Sequence, residues 1–225
     1  MCGRIEYHLT SREQLEGHYG VKLVSGYTTQ GFINARYNIA PTSHTPILTS
    51  EDSEEISEGH WGYLPSWAKT RKGVKQVINA RAETILEKSY FKSSIEKRRC
   101  LIPVTGFYEW KRDGKKKTPY RFHMNDEIFS LAGLYTTIED EKGNEMPHYA
   151  IITTEANELM APIHNRMPVI IDKEAESDWI SDGLSDTDLG QFLKPVPDDY
   201  LKCYEISTLV NSVKNNTADI LKPVG

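Results

Sequence analysis

The sequence predicts an α+β fold, a single domain over residues 1–225 made mainly of antiparallel sheet, barrel- or sandwich-like, with short flanking helices. Three observations predict it. Strand-patterned segments follow one another from residue 101 to 154, where a parallel α/β fold would alternate them with helices. Two joints within that run carry Asp113-Gly114 and Gly143-Asn144, turn dipeptides that favour hairpins between patterned strands. Helical patterns sit before and after the run, and no internal repeat, low-complexity tract or Pro/Ser-rich linker divides the chain. A chain of 225 residues is long enough to bury a sizeable core.

Taken in order, "TSREQLEGHYG" offers Thr10 as an N-cap with Glu13 three residues on, a capping-box pattern that starts a short helix. A second helix is expected across "AETILEKSYFKSSIEKRR", residues 82–99. "LIPVTGFYEWKRDGKKKTPYRFHM" then reads as two strands about the Asp113-Gly114 turn. "IFSLAGLYTTI" and "MPHYAIITT" read as a second hairpin about Gly143-Asn144. "EANELMAPIH" is expected to be a short helix, "HNRMP" a loop and "VII" a strand, with helices again within 172–194.

Composition narrows the function. The formal net charge is −5, which is not the overall basic balance of a typical nucleic-acid binder. Charge is segregated, however. Basic runs stand at "KTRKGVK", "KRR" and "KRDGKKK", and acidic ones at "EDSEEISE" and "SDWISDGLSDTD". Such segregation can give an acidic protein a local positive face, although any one run also fits a solvated loop. No apolar stretch reaches the ~18 residues of a membrane helix, and the N-terminus lacks a basic segment followed by an apolar run. Three cysteines, Cys2, Cys100 and Cys203, are few, odd in number and widely spaced. They predict a reducing, cytoplasmic compartment rather than a disulfide framework. The seven histidines form no HxxxH pair, so no metal and no cofactor is predicted. Nothing resembling a heptad repeat predicts an oligomer, and a monomer is expected.

Candidate chemistry begins at "MCGR". Once Met1 is removed, Cys2 would carry an α-amine with pKa about 8 and a thiol with pKa about 8.5 on one residue. An aldehyde meeting that pair forms an imine with nitrogen, and the sulfur closes a five-membered thiazolidine with the high effective molarity of an intramolecular attack. The same pair could instead serve a peptidase, with the amine as base for the sulfur. Position 2 alone does not separate these from a cysteine without a role. Glu109, in "GFYEW", shares a strand face with Phe107. Partial desolvation there would raise its pKa and suit it to proton transfer; a solvated carboxylate paired with lysine fits equally. His164, in "PIHNRMP", titrates near neutrality, and the neighbouring Arg166 has the planar fork that suits phosphate. Asn79 and Arg81 stand at a strand end in "VINARAET". Of two tryptophans in Pro-marked loops, Trp61 reads as core and Trp67 as exposed and able to stack on an unpaired base.

Together, "MCGR", "RYNIAPT", "WGYLPSWAK", "INARAET", "GFYEWK", "AGLY", "IITTEAN", "IHNRMPVI" and "VNSVKNNTADILKPV" resemble, nearly end to end, the SRAP (SOS-response-associated peptidase) family. The resemblance implies recognition of abasic sites in single-stranded DNA and a covalent thiazolidine link through Cys2. It implies a catalytic set of Cys2, Asn79, Glu109 and His164: Asn79 holding the amine or opened sugar, Glu109 shuttling protons, His164 helping to open the sugar and reverse the link. It implies phosphate contacts from Arg4, Arg81 and Arg166, and a DNA path along Asn38, Pro41, Trp67 and Thr153. Some relatives carry a second aromatic directly after Trp67; here Ala68 stands. The family's peptidase activity implies removal of Met1, by an aminopeptidase or by the protein itself, and nucleoid association on damaged DNA is expected. Two rivals remain: a thiol peptidase acting on polypeptides through Cys2, and a non-catalytic single-strand-binding module.

Overall fold

Alternating apolar strands that neighbour one another bury their inward faces most completely when the sheet closes on itself, leaving no edge. The computed structural model of the protein, which describes residues 2–9, 11–23, 35–65, 67–68, 73–125, 127–139 and 143–224, contains such a closure. In chain order the elements are β1 (Ile5–Tyr7), α1 (Arg12–Tyr19), β2 (Lys22–Leu23), β3 (Arg36–Ile39), β4 (His44–Thr49) and β5 (Glu55–Trp61). Next come β6 (Asn79–Arg81), α2 (Lys92–Lys97), β7 (Arg99–Val104), β8 (Gly106–Asp113), β9 (Lys116–His123), β10 (Phe129–Glu139) and β11 (Glu145–Glu155). The chain ends with β12 (Arg166–Pro168), β13 (Ile170–Ile171), α3 (Glu176–Trp179), α4 (Asp186–Phe192) and β14 (Lys202–Glu205).

Strands β11, β10, β7, β4 and β5 pair successively in antiparallel fashion. Then β5 returns to β11 in parallel, with His60 opposite His148 and Trp61 opposite Tyr149, and the five strands form a closed barrel. The wall is tight at Gly59, where a β-carbon would lie 2.6 Å from Ile47 Cδ1. A second, open sheet runs β14-β9-β8-β1-β3. One face packs on the barrel: Phe107 and Phe122 stack at 5.1 Å and join a buried cluster that includes Cys2, Ile102 and Leu131. The other face presents Tyr108 to Ile206, Val210 and Ile220 of the C-terminal segment. That segment is tied down by Asn38 Nδ2, which donates to the carbonyls of Ser212 (2.9 Å) and Asn215 (2.8 Å).

Several expectations are corrected. Helix α1 is capped at Ser11, whose N–H donates to Gln14 Oε1 at 3.3 Å; Thr10 lies outside the described residues. The patterns T-x-x-E and S-x-x-Q overlap by one residue, and either one fits the capping box. Residues 82–99 are not one helix: a single 3₁₀ turn over Ala82–Thr84 and further turns precede α2. Tyr90 and Phe91, adjacent in sequence, both pack on Tyr63 at 5.7 and 5.5 Å between ring centroids. A helix would point them about 100° apart. The segment 101–113 bends at Thr105, whose N–H is held by Glu6 O at 3.0 Å. One expected strand thus becomes β7 in the barrel and β8 in the open sheet. Residues 158–163 form turns rather than a regular helix: the Ala161 N–H reaches Asn157 O at 2.9 Å, but Pro162 has no N–H to continue the ladder. Within "HNRMP", residues 166–168 are strand β12, paired with Thr153–Glu155 of β11, not loop.

Both hairpins form where expected, with Asp113 opposite Lys116 and Glu139 opposite Glu145. Gly114 and Gly143 take φ of 56° and 83°, the left-handed region that glycine enters without strain. Among the described residues no helix is long and apolar enough to cross a membrane.

Candidate active site and nucleic-acid interface

Antiparallel pairing of β1 with β8 sets Ile5 opposite Phe107. Continuing that register towards the start of the chain brings residues 2–4 alongside Glu109, and the Tyr108 N–H donates to Arg4 O at 3.0 Å. Cys2 is fully buried. Its carbonyl accepts Asn79 Nδ2 at 2.9 Å across 77 residues of sequence. Asn79 is delivered there by β6, which runs parallel to β11 with Asn79 opposite Ile151. The Asn79 Oδ1 is buried without a hydrogen-bond partner among the described residues.

Glu109 is 4% exposed, and burial raises its carboxyl above the usual carboxylate range. The Cys2 thiol is raised well above its ordinary value, first by burial and then by the nearby Glu109 carboxylate. At neutral pH the sulfur therefore rests as a thiol.

His164 follows the turns after β11, its N–H held by Met160 O at 3.0 Å. Its Nδ1 lies 3.0 Å from the Arg166 backbone N and 3.2 Å from the Arg166 carbonyl oxygen, two contacts that call for opposite tautomers of the neutral ring. Burial lowers its pKa, so the ring is neutral at pH 7. Two clefts meet at this histidine. One, of about 610 Å³, is lined by Glu109, Trp110, Arg112, Lys117, His164 and Asn211. The other, of about 530 Å³, includes Arg81, Glu83, Glu155, His164 and Arg166.

The four catalytic candidates thus fall around one point, Cys2 beside Asn79 and Glu109, and Glu109 in one cleft with His164. The other seven candidates separate by exposure. Arg81 is exposed at the end of β6, and Trp67 is 64% exposed with its ring edge-on to Tyr90 at 6.3 Å. Ala68 behind it is buried with Leu64 and Ile138. Pro41 is half-buried in the turn after β3. Arg166 is held end-on by Glu83, at 2.5 and 2.9 Å, and by Thr153 O at 2.5 Å. Thr153 and Asn38 are buried with their polar atoms on protein partners. Arg4 Nη1 donates to Asn38 Oδ1 and to Val210 O (2.7 Å), and its guanidinium lies 5.9 Å from the Trp110 ring centre.

Sequence reasoning did not single out Glu83, Arg112, Lys117 or Asn211 as lining residues. The signal for Arg112 and Lys117 was present, since a turn at Asp113-Gly114 makes them cross-strand neighbours. For Glu83 and Asn211 no local pattern existed. Among the described residues, no group of three or more His, Cys, Asp or Glu side chains could hold a metal ion.

A closed barrel sharing its core with an open sheet, and a buried cysteine at the start of the chain facing Asn79 and Glu109, define the class: the family model for SOS response associated peptidase (SRAP) matches residues 1–213, and the chain belongs to that family. It is similar to the abasic site processing protein YoqW of Bacillus subtilis (strain 168), 37% identical over 226 residues and 99% of both chains. It is also similar to the abasic site processing protein HMCES of Gallus gallus, 32% identical over 264 residues, covering all of this chain and 78% of that protein. In structure it resembles a protein from Bacteroides thetaiotaomicron solved by X-ray crystallography, with a TM-score of 0.88 and 30% identity over 99% of this chain and all of that one.

Proposed function

We propose that the protein processes abasic sites in single-stranded DNA by forming a thiazolidine through Cys2 after Met1 is removed, and so shields the lesion. The observation that carries this reading is the convergence of Asn79 and Glu109 on Cys2. The relatives' names, which describe abasic site processing, support it.

An abasic sugar is mostly a closed hemiacetal, so opening needs a proton given to the ring oxygen and one taken from the hydroxyl. In this reading the neutral His164 ring takes the hydroxyl proton and, as the imidazolium, gives a proton to the ring oxygen as the C–O bond breaks, ending neutral again. The Cys2 amine adds to the exposed aldehyde, and the resulting carbinolamine loses water to give an imine. Glu109, holding a proton at pH values where an exposed carboxyl has lost it, protonates the departing hydroxyl. The thiol then adds to the imine carbon and its proton returns to Glu109. Asn79 fixes the Cys2 backbone through Nδ2, and its Oδ1 accepts from the amine. The net change is the loss of one water.

A resting thiol, raised by burial, supports attack by nitrogen first and sulfur second. It speaks against the thiol-peptidase reading, which needs an activated thiolate. The test is the intact mass of the Met1-processed chain after exposure to an abasic oligonucleotide. The expected species survives heat and weighs the sum of the two partners less one water. Its absence removes the reading, as would equal affinity for intact and abasic strands with no adduct, the signature of a non-catalytic module.

Arg81 and Trp67 carry direct strand contacts in this scheme, while Asn38 and Thr153 position their neighbours. Glu83 occupies the Arg166 fork as a phosphate would, and the hydrogen bond from Arg166 keeps its carboxyl ionised. Glu83→Gln is therefore expected to strengthen binding to any single strand several-fold. It should also steepen the salt dependence by about 0.7 in log–log slope, as one more phosphate contact forms. Fluorescence anisotropy at several salt concentrations measures both. Weaker binding by the variant would make Glu83 a support for Arg166 instead of its competitor.

A further inference from the structure

The β8–β9 hairpin carries two cations that this scheme leaves without a task. Arg112 and Lys117 stand directly opposite each other across the ladder, so their side chains share one face, and both line the cleft that holds Glu109 and His164. Like charges directly opposite destabilise an antiparallel pair. The next rung shows the usual remedy, Asp113 opposite Lys116. Neither Arg112 nor Lys117 has a salt-bridge partner among the described residues.

The same cleft offers them no compensating anion at neutral pH beyond a carboxyl whose ionisation burial opposes, and its histidine is uncharged there. Trp110 and Asn211, joined by an indole N–H to Oδ1 hydrogen bond of 2.7 Å, form the remaining wall. A concave site with two adjacent unpaired cations and a half-buried aromatic suits an anionic group carried on a ring-bearing chain.

We propose that Arg112 and Lys117 form a subsite for a DNA backbone phosphate, placed across His164 from Arg81, so that a strand is gripped on both sides of the reacting sugar. This rests on the abasic-site reading for the identity of the strand. It explains why a repulsive pair persists at this rung, and why an acidic chain concentrates positive charge on a hairpin that rises from its own cleft.

The test compares Arg112→Ala/Lys117→Ala with the charge-matched Lys111→Ala/Lys115→Ala, whose side chains do not line the cleft. Affinity for an intact single-stranded oligonucleotide, its salt slope, and the rate of conjugate formation at saturating abasic oligonucleotide are measured for each. For the cleft variant, affinity is expected to fall about tenfold at moderate salt and the slope to shrink by about 1.4, the value for two lost contacts to a single strand. The saturating rate should fall by a smaller factor than the affinity, because Arg112 also acts electrostatically on Glu109 and His164. The control variant should lose far less on both counts. Equal losses in the two variants overturn the subsite. So does a lower saturating rate with unaltered affinity, which would make the cations tuners of Glu109 and His164. Because binding of an intact strand needs no lesion chemistry, a wild-type chain that binds but never conjugates sinks the crosslinking reading alone. One that binds no strand sinks both.

Discussion

Cys2→Ala, processed at Met1 like the wild type, is expected to yield no heat-stable conjugate with abasic DNA while binding the strand undiminished. Alanine keeps the α-amine and removes only the sulfur. An imine should therefore still form, and borohydride should trap it as a reduced adduct. Without reduction it hydrolyses, because nothing closes the ring; the loss is of the intramolecular step, whose effective molarity is very high. Cys2→Ser, with a poorer nucleophile in the same place, should behave like alanine. Replacing one buried sulfur by hydrogen leaves a small cavity and costs about 1 kcal/mol, so the fold should survive and the comparison stay clean. A Cys2→Ala protein that conjugates as durably as wild type would show that the sulfur is not part of the link.

Glu109→Gln should lower the rate constant for conjugation at saturating DNA by about 10²–10⁴, the range for losing a positioned acid–base group. The pH dependence separates this from simple misplacement. The amine must be unprotonated, which makes the rate rise with pH, and Glu109 must hold its proton to act as acid, which makes it fall. Wild type should give a bell, and glutamine a low rate that only rises. The same raised pKa has a consequence for stability. Folded protein binds the Glu109 proton more tightly than unfolded chain, so its contribution is fully present below the ordinary carboxylate range and is lost as pH rises through the folded value. Glutamine has no such loss. Its melting temperature should match wild type near pH 4 and exceed it at pH 7. Unaltered conjugation from pH 5 to 9, with no divergence in melting, would remove Glu109 from proton transfer.

The amino-acid order alone determined what depends on near neighbours. Turn dipeptides located both hairpins, because Asp-Gly and Gly-Asn favour backbone angles that few other pairs tolerate. Apolar context separated Trp61, buried beside Tyr149, from Trp67, exposed on its loop. The resemblance carried by the short motifs implied Cys2, Asn79, Glu109 and His164 as a set. Where local rules tied, as between Thr10 and Ser11, or where adjacent aromatics needed a common partner, as Tyr90 and Phe91 do in Tyr63, the sequence could not choose.

Only the tertiary structure decided what depends on ring closure and through-space pairing. The parallel return of β5 to β11 closes the barrel, and the bend at Thr105 hands one continuous strand-like segment to two sheets. These long-range pairings bury Thr153 and Asn38, give Glu83 the Arg166 fork, and set Arg112 and Lys117 beside His164. No periodicity records such neighbours, because each contact joins residues whose own local preferences are satisfied with or without it. Burial and charge pairing then fix whether a given arginine meets solvent or a carboxylate, and that is a property of the closed surface rather than of any stretch of chain.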